Sequence, residues 1–292
     1  MSGICVAHLV REQNGLAPFK AFLNSYRERP AGVGHDLLLI FKGFAQQHVL
    51  DEYRSQLAGL SYKSFLVPDH GFDVRPYFLA ARRFDYQYFC FLNSYSLLLD
   101  ESWLAKMHKY ITHEEVGIVG ATGSYESHYS NIVHTIFVES GELLEDVWQL
   151  FHKRVVININ RMYFPPFPNP HIRTNAFMLS RKVMLKLKVG RIKNKMDAHR
   201  FESGKSSLTR QILDMNLKAL VVGRDGRAYD KDEWFESNTF RRADQSNLLI
   251  SDNQTREYLL SDSHRKRVLS KDTWGNRPSH VDWPSGGSYV HR

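Results

Sequence analysis

An α/β fold on an open, mostly parallel β-sheet is what this 292-residue sequence predicts. Three observations carry the prediction. Short strand-like runs such as HDLLLIFKG (35–43) are apolar throughout rather than alternating, as strands covered on both faces are. These runs alternate with helix-length stretches, which implies right-handed βαβ units. A chain of this length can bury roughly three quarters of its unfolded surface, enough for one large domain with an extension.

Taken in order, GICVAHLV (3–10) is β-rich and GLAPFKAFLNSYRER (15–29) has helical spacing. HDLLLIFKG is the second strand, and FAQQHVLDEYRSQLAGL (44–60) a second helix closed near Gly59. YKSFLVPD (62–69) is a third strand; DVRPYFLAARRF (73–84) is a short helix that tolerates Pro76 only near its start. The fourth strand lies in DYQYFCFLNSYSLLLDESWL (85–104) and stops at Asn93-Ser94-Tyr95-Ser96; EEVGIVGATGS (114–124) is the fifth. ELLEDVWQLFHKRVV (142–156) is an amphipathic helix. The stretch 162–187 holds four of the ten prolines, so Pro165 to Pro170 form a stiff loop that delivers His171, Arg173, Thr174 and Asn175 into the apolar AFMLS. Residues 181–205 are strongly basic. SSLTRQILDMN (206–216) and LKALVVG (217–223) complete another α/β unit. The expected division is a sheet domain over 1–233 and a polar, partly irregular extension over 234–292, ending in a poorly ordered or partner-dependent tail.

Hydrophobic content of 42% and charged content of 24% are ordinary for a globular chain. The net charge of +8 favours an anionic partner: nucleotide phosphates, nucleic acid or an anionic membrane face. Cys5 and Cys90 both lie in apolar runs, which suits buried thiols in a reducing compartment. MSGICVAHLVREQNG lacks the layout of a signal peptide, and no run approaches the ~18 apolar residues of a membrane span, so a cytoplasmic location is expected. SGKSS (203–207) echoes a phosphate loop, but His199 stands where that pattern needs glycine. The basic run has no zinc, helix-turn-helix or RNP-type signature, so no nucleic-acid partner is expected. It could hold the protein against anionic lipid at the inner face of a membrane.

Ligands of open α/β sheets lie beyond the carboxyl ends of the strands, where strand order reverses. The residues there are Arg11 and Glu12, Lys42 and Gly43, Asp69, Asn93 to Ser96, and Ala121 to Ser124. Lys42 would meet a phosphate or lie on the surface. Asp69 and Asp73 would hold the base or ribose of a nucleotide, or one of them would cap the following helix.

The order of GFDVRPYFLAARRF, the strand ending at NSYS, VGIVGATGS, HIRTNAFMLSRKVMLKL and FESGKSSLTRQILDMNLKALVV resembles the GT-A glycosyltransferases over about residues 3–225, bacterial surface-polysaccharide and O-antigen enzymes above all. The resemblance implies a GT-A-like (Rossmann-like) catalytic domain that moves a hexosyl group from a nucleotide sugar, UDP-linked, to a glycan or lipid-linked glycan acceptor. In that family an Asp-x-Asp motif bridges a metal to the donor diphosphate. Here the matching site reads Asn93-Ser94-Tyr95-Ser96, whose neutral groups are poor anchors for Mg²⁺. The site then works without metal, with Lys and Arg at the diphosphate, or the activity has been lost, or these residues only form a turn. The resemblance places Arg11, Lys42, Asp69, Asp73, Asn93, Ser94, Tyr95, Ser96, Lys205 and Arg210 on the donor. Gly123, Ser124, Thr174 and Asn175 fall on the acceptor, and Glu202, His171 and Arg173 at the reaction centre. Glu202 is the base if configuration inverts, or a favourable charge at a helix N-terminus. The rival readings are a nucleotidyltransferase on a similar sheet and a non-catalytic sugar- or nucleic-acid-binding relative.

Overall fold

The computed structural model describes residues 3–136 and 147–276, with the backbone alone over 147–151. The first units run β1 (Ile4–Arg11), α1 (Leu16–Glu28), β2 (Asp36–Lys42), α2 (Gln47–Ser55), β3 (Lys63–Val67) and α3 (Val74–Arg83). There follow β4 (Tyr88–Leu92), β5 (Leu97–Leu98), α4 (Trp103–Ile111), β6 (Val116–Gly120), β7 (Gly123–Ser124), α5 (His128–His134) and α6 (Val147–Tyr163). The later part comprises β8 (His171–Ile172), β9 (Ala176–Ser180), α7 (Arg181–Met184), α8 (Lys195–Ser203), α9 (Leu208–Asp214), β10 (Lys218–Val222) and β11 (Ala228–Tyr229). The last elements are β12 (Ile250–Ser251), α10 (Asn253–Leu260) and α11 (Ser263–Trp274).

Eight strands form one sheet in the order β11-β10-β6-β9-β4-β1-β2-β3. β1 runs parallel to β2 and β4, β2 to β3, and β6 to β10. The expected open, mostly parallel, Rossmann-like sheet flanked by helices is therefore the fold. Strand order reverses at β1: β2 and β3 lie to one side, β4 to the other. AFMLS is one of the sheet's strands, β9, and it runs antiparallel to both β4 and β6.

The apolar strands fill both faces, as their composition requires. Side chains alternate across a strand, so Cys5, Ala7 and Leu9 enter one core with Tyr77 and Phe78 of α3 and Leu208 and Ile212 of α9. Ile4, Val6 and Val10 enter the other with Phe19 and Phe22 of α1, Leu50 of α2 and Trp103 and Leu104 of α4.

Two elements depart from expectation. The helix foreseen over 142–156 is helical from Val147 and continues to Tyr163; residues 142–146 lie outside the described part. The region after 233, expected to be partly irregular, has turns alone up to 249 and then β12, α10 and α11, and it packs into both cores. Trp234, Phe240 and Trp274 join the first core, and Leu249 and Ile250 the second. Scattered large apolar groups anchor a locally polar stretch, and β12 pairs with β5. The tail 277–292 lies outside the described residues.

Candidate active site

Register builds the centre of the site. Arg11 pairs with Lys42 across β1 and β2, and Lys42 with Val67 across β2 and β3, so three strand ends lie side by side. Asp69, two residues past β3, closes the group. Its carboxylate accepts from Arg11 Nε at 3.2 Å and Nη2 at 3.1 Å, and Lys42 Nζ lies 2.6 Å away. Hydrogen bonds from Arg11 hold the Asp69 carboxyl below its ordinary range against the opposing effect of burial, and Lys42 adds to the lowering. Lys42 is 1% exposed, an ammonium kept inside by this pairing. Gly43 makes the turn with φ 85°, and a Cβ there would press on Asp69 at 3.2 Å.

Above this trio opens a cleft of about 730 Å³. Arg11, Lys42, Arg75, Arg82, Arg191 and Lys193 line it, and Asp69 is the one carboxylate among its lining residues. Phe72, Phe78, Val189 and Ile192 provide apolar wall. Cations of this density in a concave site raise the local concentration of anions. A larger cleft, about 1230 Å³, lies at the opposite edge, by the amino ends of β4 and β6. Its lining mixes Asp85 and Glu114 with Arg181, Lys182 and Lys186, and it is at the wrong end of the sheet for a ligand of this fold. Of the basic run 181–205, Arg181, Lys182 and Lys186 line this cleft, and Arg191 and Lys193 the cationic one.

The strand end at 93–96 folds onto itself. Asn93 Oδ1 accepts from the Tyr95 amide and the Ser96 hydroxyl, both at 3.0 Å. The Asn93 amide donates to the Asn175 carbonyl at 2.8 Å, and the Tyr95 carbonyl accepts from Arg256. Ser94 and Ser96 are buried. This is an Asx turn, with the Asn93 side-chain oxygen and the Ser96 hydroxyl engaged inside it. Among the described residues no group of three or more His, Cys, Asp or Glu side chains could hold a metal. The 93–96 turn offers no carboxylate to the divalent ion of the Asp-x-Asp motif.

The other side of the site is set by α8. Near its end, Glu202 accepts from the Thr174 amide at 3.3 Å and the Thr174 hydroxyl at 3.0 Å. Its charge raises the pKa values of His171, Asp73 and Tyr77, and none of these four residues lines the cationic cleft. His171 is buried and its Nδ1 donates to the Asn169 carbonyl at 2.8 Å, leaving Nε2 as the acceptor. Burial lowers its pKa, partly offset by Glu202. Asp73 precedes α3 without a side-chain capping bond. Burial pushes its carboxyl above the ordinary value, although Lys42 and Arg11 oppose the rise.

The remaining expected residues are placed elsewhere. Arg173 is buried; it pairs with Asp252 at 2.8 Å and lies over the Phe240 ring at 4.0 Å. Asn175 accepts from Thr122 Oγ1 at 2.9 Å, and its buried Nδ2 has no partner. Gly123 and Ser124 are buried in the β7–β8 pair, with Gly123 so close to Trp234 that a Cβ would lie 2.6 Å from it. Arg210 is exposed on α9 beside Asp214, and Lys205 is exposed past α8; neither lines the cationic cleft. Sequence reasoning passed over Arg75 and Arg82. They lie seven residues apart on α3, a spacing that puts both on one helix face.

No protein-family model and no curated protein matches the sequence. Solved structures with some likeness include the mannosyltransferase PcManGT from Pyrobaculum calidifontis in complex with GDP-Man and Mn²⁺, at 12% identity and a TM-score of 0.44. That match covers 74% of this chain and 53% of the other, so the chain spans about half of that protein's length. A 4-diphosphocytidyl-2C-methyl-D-erythritol synthase from Anaerococcus prevotii matches at 12% identity, covering 76% and 88% of the two chains, with a TM-score of 0.42. The S. cerevisiae mannosyltransferase Ktr4p matches at 13%, covering 62% and 56%, with a TM-score of 0.36. Likenesses at these scores say nothing of this chain's activity.

Proposed function

We propose that this protein is a glycosyltransferase that moves a hexosyl group from a nucleotide sugar, with UDP-sugars as the donor class, to a glycan of bacterial surface polysaccharide, and that it does so without a metal. The observation that carries this reading is the cleft beyond β1 to β3, where six Lys and Arg side chains face one carboxylate. A diphosphate leaving group gains negative charge as its bond to the sugar breaks, and fixed cations stabilise that charge as a metal would. Phe72 and Phe78 offer the base an apolar wall.

In this reading the acceptor enters past Thr174. Its hydroxyl oxygen forms the new bond to the anomeric carbon, the bond from that carbon to the diphosphate breaks, and the electron pair leaves with the diphosphate. Glu202 takes the hydroxyl proton; the two bonds from Thr174 hold its carboxylate in place. Arg173, buried against Asp252, positions the segment that carries Thr174.

The test is a panel of nucleotide sugars with and without chelator. Release of nucleoside diphosphate that survives chelator is the expected result. Pyrophosphate release would replace this reading with nucleotidyl transfer. No thermal shift with any nucleotide would leave the protein without a donor site and sink the proposal.

A further inference from the structure

The α6 helix wears its polarity inside out. Val155, Ile159, Met162 and Tyr163 are spaced i, i+4, i+7 and i+8, which sets them on one face. That face points outward: the four are 37%, 47%, 67% and 39% exposed. Asn160 is the buried one, its Nδ2 donating back to the Val156 carbonyl. Phe167, in the following loop, is also 37% exposed. An exposed apolar row of this kind marks something that covers it.

Charge selects the partner. From Val147 to Tyr163 the sequence has Lys153, Arg154 and Arg161 and no Asp or Glu. Arg154 and Arg161, seven residues apart, form an exposed row along one flank of the apolar stripe. Lys205, also exposed, stands at the helix end, where its amide donates to the Tyr163 carbonyl. A helix whose apolar stripe is flanked by its own cations, with no carboxylate of its own, has the pattern of one that lies in the interface of an anionic bilayer. A protein partner of ordinary mixed charge would be met by both signs. No described helix is long and apolar enough to cross a membrane, so this would be contact from one side.

We infer that α6 and Phe167 dock this protein onto an anionic lipid surface, with Val155, Ile159, Met162 and Tyr163 in the acyl boundary and Arg154 and Arg161 at the headgroups. The inference stands apart from the transferase reading, since none of these residues lines the cationic cleft. It names the surface that would bring a lipid-linked acceptor to that cleft.

The experiment is cosedimentation of the full chain with vesicles of phosphatidylcholine alone or mixed with phosphatidylglycerol. Binding is expected to the mixed vesicles only and to weaken with salt. R154Q and R161Q are each expected to weaken it about fivefold, and I159E/M162E to abolish it, with melting temperature and nucleotide-induced thermal shift unchanged. An environment-sensitive dye on M162C should shift to the blue when mixed vesicles are added. Equal binding of wild type and I159E/M162E overturns the proposal, as does no binding at low salt. A dye already shifted without vesicles does so too, since another part of this chain or a second copy would then cover the face. Loss of vesicle binding with the nucleotide shift intact would leave the transferase reading standing; the converse would leave the membrane surface standing.

Discussion

Lys42 and Glu202 carry the two halves of the proposed chemistry, and each is testable alone. Lys42 is buried with its charge set against Asp69 at 2.6 Å. Lys42→Met removes a cation from the cleft and leaves Asp69 less neutralised, two effects of the same sign. A charged hydrogen bond contributes about 1.5–3 kcal/mol, so nucleoside diphosphate binding should weaken ~10- to 100-fold by calorimetry. Asp69→Asn should act in the opposite direction and tighten the anion. Glu202→Gln keeps the shape and the acceptor oxygen facing Thr174 but cannot take a proton. Transfer should fall by about 10²- to 10⁴-fold with diphosphate affinity unchanged; an equal loss of affinity would make Glu202 a binding group instead.

At the scale of elements, the Arg173–Asp252 pair joins the segment after β8 to the start of α10. Asp252 caps α10 through Thr255 and accepts from Arg173 with both side chains buried. Burial alone would raise its pKa; Arg173 and the Thr255 donors outweigh that and hold it below the ordinary carboxylate value. A carboxyl depressed in the folded state adds stability above its unfolded pKa of about 3.9, and that stability is lost as pH falls through the folded value. Asp252→Asn leaves a buried guanidinium uncompensated and should cost about 3–5 kcal/mol in denaturant unfolding. The variant should also lose part of the wild type's acid-induced destabilisation below about pH 4. Neither partner advertises the other along the chain, because they stand 79 residues apart.

At the scale of the whole molecule, strand order decides where chemistry can happen. β1, β2 and β3 share parallel register, so Arg11, Lys42 and Asp69 meet at the carboxyl ends of the strands, and the cleft opens above them. Six Lys and Arg side chains line that cleft against one carboxylate. A transferase that uses these cations should keep its rate in chelator and lose donor affinity as ionic strength rises. Rate loss in chelator that added Mn²⁺ restores would overturn the metal-free reading.

Composition and order along the chain determined the sheet class, because strands apolar throughout are stable only when covered on both faces. They also determined that Arg11, Lys42 and Asp69 would end their strands, since the apolar runs stop there. Tertiary structure decided the rest. AFMLS had the composition of a strand, but only neighbours in space could place it antiparallel between β4 and β6. The basic run was plain in the sequence; that 181–186 line one cleft and 191–193 another is set by the folded chain. Trp234, Phe240 and Trp274 lack any period, so their common core exists only once the chain has folded back on itself. Local pattern records what a residue prefers nearby, whereas pairing across tens of residues comes from packing and charge in three dimensions.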